Sequence, residues 1–147
     1  MGENNLIFPA DGLKAKFCWP VRVYYEDTDA GGVVYYANYL KFLERARTEF
    51  LRALGFEQDE LKTQDGVIFA VREVHAEYLK PARFNDLLTV TCALVAWKPA
   101  SLEFSQAVLK HPTTLCQAWV RIACLEAASL RPCPLPESLR KVLKAYA

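Results

Sequence analysis

Two aspartates separated by one residue, Asp27 and Asp29, run straight into Gly31 and Gly32 in the stretch "EDTDAGGVVYYANY", residues 26 to 39. A carboxylate can attack a carbonyl carbon or take a proton from water. Paired glycines permit positive φ and let backbone approach a ligand closely. After them the chain turns apolar and aromatic, with helical spacing from Tyr39 onward. The first amides of a helix have no partner inside it, and the helix dipole favours negative charge there. A carboxylate delivered to a helix start therefore has the parts for acyl chemistry. It can attack or activate water while free amides hold a carbonyl oxygen that is becoming an oxyanion. The same parts serve a plainer purpose, since acids before a helix also cap it and Gly-Gly also turns a chain. No GxSxG, P-loop or HExxH motif competes.

Those residues need elements to position them. "FCWPVRVYYED", residues 17 to 27, alternates with β-branched and aromatic content and predicts a strand. Pro20 inside it points to a sheet edge or a later start. Residues 37 to 54 change period. Tyr39, Phe42, Leu43, Ala46, Phe50 and Leu54 step by three and four, which predicts one apolar helix face, with Gly55 as the stop. Glu44, Arg45, Arg47, Glu49 and Arg52 supply charges beside that face. From Gly66 to Ala127 the chain reads as four long strands, "VIFAVREVHAEYL", "LLTVTCALVAW", "LEFSQAVL" and "LCQAWVRIACLEA". Short Pro-containing turns join them, which makes neighbours antiparallel. "ESLRKVLKAY" follows as a short amphipathic helix. The order predicts an α+β fold, an antiparallel five-stranded sheet wrapped around one long central helix. Residues 1 to 15 read as a flexible leader and 16 to 147 as a single domain. Open sheet edges predict edge-to-edge dimerisation.

At 147 residues the chain can bury roughly two thirds of the surface it exposes when unfolded. Eighteen basic residues stand against 17 acidic ones, for a formal charge of +1. That excludes a broad basic field for nucleic acid or an anionic membrane, and leaves room for a small phosphate-bearing ligand. "MGENNLIFPADGLKAK" has no apolar core of the signal-peptide kind. The longest apolar run, Cys92 to Trp97, is too short to span a bilayer. The expected setting is the cytoplasm, without integral membrane contact. Five cysteines with no CxxC pair predict neither a disulfide framework nor a zinc site. Cys116 and Cys124 share a strand face but stand too far apart to bridge, so the expected role is small, buried and apolar.

"VRVYYEDTDAGGVVYYANYLKFLERARTEFL" resembles the signature of the hotdog-fold 4-hydroxybenzoyl-CoA thioesterase family. It is especially similar to the branch of small bacterial acyl-CoA thioesterases associated with the Tol-Pal system. The shared core is D-x-D-x-x-G-x-V-Y/F-x-x-x-Y. The resemblance continues through "YLKPARFNDLLTV", "WKPASLEF" and "LRPCPLPESL". It implies a hotdog fold that hydrolyses an acyl-CoA thioester to free acid and CoA, with no cofactor and no metal. It also implies that Asp29, the second acid of the pair, is catalytic as nucleophile or general base. By position, the oxyanion donor would be the backbone amide of Tyr36. Many members of the branch carry His where this chain has Tyr36, which is the clear departure. The 4-hydroxybenzoyl-CoA enzymes resemble this chain in having Tyr there. Family members hold the CoA nucleotide at the surface, often with basic residues from neighbouring subunits. The positions that match such a role are Lys98, Ser101 and Arg131. The implied assembly is a homodimer or a homotetramer built as a dimer of dimers.

Acyl carrier protein is the alternative acyl donor on the same site. A non-catalytic acyl-binding hotdog subunit is the rival from another class, and a carboxylate beside an acyl tunnel argues against it. A dehydratase usually needs a His and an acid facing each other, and the loop offers no His. His75 reads as a packed or interfacial strand residue and His111 as a solvated turn residue. Glu44 reads first as the partner of a nearby Arg. Glu26 and Asp27 read as structural or solvated groups.

Overall fold

The computed structural model describes residues 6–7 and 16–146. The elements are β1 (Leu6–Ile7), β2 (Lys16–Arg22), α1 (Asn38–Ala53), α2 (Gln58–Glu60), β3 (Val67–Tyr78), β4 (Leu87–Lys98), β5 (Ser101–Lys110), β6 (Thr113–Glu126) and α3 (Glu137–Tyr146). They form one antiparallel sheet in the order β1-β2-β4-β5-β6-β3. The five long strands are β2 to β6, as expected. The two-residue β1, from the segment read as leader, adds Leu6 opposite Phe17 and Ile7 opposite Lys16. Residues 1–5 and 8–15 of that leader lie outside the described residues.

The strand β2 stops at Arg22, earlier than its alternation suggests, because residues 24–27 wind into a 3₁₀ turn. Asp27 N–H donates to Tyr24 O at 3.0 Å, and the Asp27 carboxylate accepts from Tyr24 N–H at 2.8 Å. Pro20 sits in β2 at a position that β1 does not cover, where a missing N–H is tolerated.

The helix α1 follows the apolar period of its sequence. Phe42, Leu43, Ala46 and Phe50 are buried and pack across β2, β4 and β5. The Phe50 ring meets Phe17 at 6.0 Å and Phe104 at 5.6 Å, both edge-on. Each large apolar side chain removed from water this way contributes roughly 1.5–3 kcal/mol. The helix ends in a Schellman turn. Phe56 N–H reaches Leu51 O and Gly55 N–H reaches Arg52 O, both at 2.9 Å, with Gly55 at φ +98°.

Two features differ from the sequence reading. Residues 58–65 form α2 and a π-turn at Leu61–Asp65, which bury Leu61 in a stretch the hydrophobic period left unassigned. Arg47, read as a charge beside the apolar face, is only 8% exposed. Its guanidinium donates to Gln106 Oε1 at 3.0 Å, and Gln106 Nε2 is anchored on Leu43 O. Burial lowers the Arg47 pKa from its ordinary value. A single residue on β5 thus admits a charge to the core.

Register shifts interrupt β3 between Val71 and Glu73, β4 between Leu94 and Ala96, and β6 at Leu115, opposite the Val108–Leu109 step of β5. Such bulges increase twist and bend the sheet around its helix. Along β3, the last strand, Val71, Val74 and Tyr78 stay exposed although their β6 partners are buried.

Candidate active site

The "EDTDAGG" stretch is a tight hairpin rather than an open loop. Thr28 bridges Val34, Asp29 N–H donates to Val33 O at 2.9 Å, and Gly32 N–H donates to Asp29 O at 3.0 Å. Gly32 takes φ +77°, the left-handed corner such a turn requires. Asp29 stands at the first corner with its side chain exposed. Its Oδ1 accepts the Gly31 N–H at 2.8 Å. A Cβ on Gly31 would lie 3.2 Å from that same oxygen, so any larger residue pushes the carboxylate by a few tenths of an ångström. Among the described residues Oδ2 has no partner.

The hairpin is pinned from two sides. Val33 bridges Arg83, and Val34 N–H donates to Ala82 O at 2.9 Å. The hydroxyl of Tyr39, the second residue of α1, accepts the Ala82 N–H at 2.9 Å. Burial raises the Tyr39 pKa, and the Ala82 amide partly offsets it. The crossing loop is held in turn by Asp86, whose carboxylate accepts the Arg83 N–H at 2.9 Å and pairs with Lys110 at 2.9 Å. Partial burial pushes the Asp86 carboxyl up, but the Lys110 ammonium and the Arg83 amide outweigh it and hold it below the usual aspartate range. Beneath the hairpin, Asp27 is buried and structural, and its carbonyl accepts from Asn38 Nδ2 and Tyr35 N–H, each at 2.9 Å.

The entry to α1 spends its amides unevenly. Asn38 N–H reaches Tyr35 O at 2.8 Å and Leu40 N–H reaches Ala37 O at 3.1 Å. Among the described residues, the Tyr36 and Ala37 amides donate to no acceptor. Ala37, the N-cap position, offers no side-chain cap. A cleft of about 260 Å³ opens here, lined by Val34, Tyr36, Tyr39, Tyr78, Leu79 and Lys80. Tyr78 meets Tyr36 at 6.0 Å and Tyr39 at 5.4 Å, ring edge to ring face. Asp29 is outside that lining.

Lys98, Ser101 and Arg131 fall elsewhere. Lys98 and Ser101 face each other across the β4–β5 turn. Arg131 lies on the tail, its carbonyl accepting from Glu126 N–H at 2.8 Å, and Leu135 N–H ties that tail to Pro99 O at 2.7 Å. The three share one end of the sheet. Asp29 and Tyr36 sit at the other, beside the start of β4. The twelve residues of β4 separate the ends by roughly 40 Å at about 3.3 Å per residue. One chain does not bring the two sets onto one ligand.

His75 is exposed on β3, 3.1 Å from Glu73 Oε1 and against Trp119, three residues before Tyr78 but outside the lining of the cleft. Glu44 accepts from Thr48 Oγ1 at 2.9 Å rather than from an Arg, and lines a small cavity of about 90 Å³ with Arg47. Among the described residues there is no group of His, Cys, Asp and Glu able to hold a metal, and no helix is long and apolar enough to cross a membrane. The residues that sequence reasoning missed are Tyr39, Asn38 and Asp86. Tyr39 is the last residue of the D-x-D-x-x-G-x-V-Y/F-x-x-x-Y core, and its place on the apolar face hid the hydroxyl's role.

An antiparallel sheet with five long strands around one long helix is a hotdog fold, and the chain belongs to the Thioesterase-like superfamily, whose model matches residues 23–143. It is 42% identical over 124 residues to the "Acyl-CoA thioesterase YbgC" of Haemophilus influenzae, covering 84% of this chain and 91% of that one. It is 45% identical over 124 residues to the "Acyl-CoA thioester hydrolase YbgC" of Escherichia coli O6:H1, covering 84% and 92%. Among solved structures, a probable thioesterase from Bartonella henselae superposes with a TM-score of 0.80 at 36% identity, covering 83% of this chain and all of that one.

Proposed function

We propose that this chain hydrolyses acyl-CoA thioesters to free acid and CoA. The observation that carries the reading is the Asp29 carboxylate, oriented by the Gly31 amide at a hairpin corner, on the segment that leads into the unpaired Tyr36 and Ala37 amides. Its relatives at 42% and 45% identity are named for that reaction. A thioester carbonyl is reactive, and its thiolate leaves readily because thiols have a pKa of about 8.5. Strong acid assistance to the leaving group is therefore unnecessary. The Tyr36 N–H takes the charge that develops on the carbonyl oxygen. The Asp29 carboxylate attacks the carbonyl carbon, or takes a proton from a water that does so. An amide does this work under any side chain except proline, so Tyr in place of the branch's His is compatible with turnover.

In a single chain Asp29 is exposed, and catalysis by fixed dipoles gains from excluding water. The apolar residues left bare along β3 supply the surface for a second copy. Antiparallel pairing of two β3 edges about a two-fold axis sets the end of one β3 against the start of the other. The Arg131 end of one copy then approaches the Asp29 end of its neighbour. Lys98, Ser101 and Arg131 are assigned to the CoA nucleotide in that homodimer, with a dimer of dimers as its extension.

Thiol release by the purified chain, across a panel of acyl-CoA and acyl-carrier-protein substrates, tests the reading. Faster turnover of acyl-CoA is expected. Turnover confined to acyl carrier protein would move the substrate assignment, and binding of acyl-CoA without thiol release would make the chain a non-catalytic subunit.

A further inference from the structure

Two cysteines outside the thioesterase site stand together. Cys124 on β6 and Cys133 on the following tail have sulfurs 3.8 Å apart. Cys133 N–H donates to Cys124 O at 3.0 Å, Glu126 N–H donates to Arg131 O at 2.8 Å, and Leu125 bridges Pro132. The tail thus runs antiparallel to the last residues of β6, with Cys124 directly opposite Cys133. Directly opposed residues of an antiparallel pair have α-carbons about 4.5–5.5 Å apart, inside the 4.4–6.8 Å range that a disulfide spans. Closing the remaining gap needs rotation of two side chains and no change in strand register.

We propose that Cys124 and Cys133 form a reversible thiol–disulfide site that takes a low-molecular-weight disulfide as co-reactant and clasps the segment carrying Arg131 onto β6. Cys133 is half-buried and Cys124 fully buried, so Cys133 meets the co-reactant first. Its thiolate attacks one sulfur of RSSR, forming Cys133–S–SR and expelling RS⁻. The Cys124 sulfur then attacks the Cys133 sulfur and expels the second RS⁻. One S–S bond breaks in the co-reactant and one forms in the protein. The two thiol protons pass to the two leaving thiolates. The cysteine pair is oxidised by two electrons and the co-reactant is reduced by the same two. Burial, with Cys133 beside it, pushes the Cys124 thiol up to about 12, so the second step speeds as pH rises.

Cys92 and Cys116 stand apart from this pair. Cys92 is buried in β4, and Cys116 lies toward the opposite end of β6. The segment between the two thiols carries Arg131, and Leu135 N–H just after it anchors to the β4–β5 turn beside Lys98. A clasp here fixes one side of the surface assigned above to the CoA nucleotide. That consequence rests on the thioesterase reading, whereas the clasp itself does not.

The test is incubation of the full chain with oxidised glutathione, then denaturing alkylation and peptide mapping by mass. The expected product is a crosslinked Cys124–Cys133 peptide that reverts with dithiothreitol, and a Tm a few degrees higher than that of the reduced chain. A Cys124→Ala variant should stop at one glutathione retained on Cys133, and Cys133→Ser should form no crosslink. If both thiols alkylate fully after treatment, or if wild type retains glutathione on Cys133 without releasing it, the pair is ordinary packing and the proposal fails. If Cys124→Ala does not fold, the wild-type peptide map still decides. With the crosslink in hand, a several-fold change in KM for acyl-CoA at constant kcat is expected. An unchanged KM would overturn the link to Arg131 while leaving the clasp, and absence of turnover in the reduced chain would instead overturn the thioesterase reading.

Discussion

The two ends of the sheet are built in different ways. At one end, the hairpin of residues 28–34 is tied to the 82–86 loop, that loop is hung from the Tyr39 hydroxyl, and Asp27 and Asn38 lock the turn to the helix start. Each of those ties involves a backbone group. At the other end, Lys98, Ser101 and Arg131 project from a short turn and a tail whose own backbone is secured, but among the described residues their side chains have no such lattice. The first end can hold a reacting atom in place, as bond making requires. The second can only attract charge, which suits a flexible phosphate-bearing group. Precision is concentrated where bonds would change.

Four substitutions would break or sharpen that contrast. Asp29→Asn should lower kcat about a thousandfold, the middle of the range for a positioned acid or base. Its unfolding midpoint in urea should stay put, since the side chain is exposed. A normal rate would remove Asp29 from the chemistry. Tyr39→Phe leaves the buried Ala82 N–H without an acceptor and should cost about 1–3 kcal/mol in stability. An unchanged urea midpoint would mean that the loop does not hang from the helix. Gly31→Ala crowds Asp29 Oδ1 and should reduce kcat about tenfold by turning the carboxylate, with Tm nearly constant. Wild-type kcat would show that the Gly31 contact does not set the geometry. Arg131→Ala should raise KM for acyl-CoA about threefold to tenfold with kcat unchanged, and salt should shrink the difference. A kcat loss there equal to that of Asp29→Asn would erase the distinction between the two ends.

Much of the scaffold could be read from residue spacing. The period of three and four over residues 37 to 54 became α1 at Asn38–Ala53, and the closing amphipathic stretch became α3 at Glu137–Tyr146. Alternation and Pro-containing turns placed β3 to β6 to within two residues, because packing on one face imposes that pattern. The misses share a cause. Hydrogen bonds between distant segments leave no local period. The Tyr39–Ala82 bond, the Arg47–Gln106 pair and the Cys124–Cys133 contact each join residues whose types suggested something simpler. The spacing of Asp29, Tyr36 and the nucleotide candidates was likewise silent about distance. Only the strand order shows that they lie a full strand apart.

Tyr39 belongs at once to the core and to the scaffold of the candidate site, with its ring buried and its hydroxyl on the loop that pins the hairpin. A lineage that drifts at this position loses folded protein before it can explore altered chemistry, because one or two kcal/mol already changes cellular abundance. Turnover of unfolded chains would therefore purge such variants without any test of activity. Among the described residues, the turn at residues 98–101 has no such guard, and substitutions there face a test of activity before any test of folding.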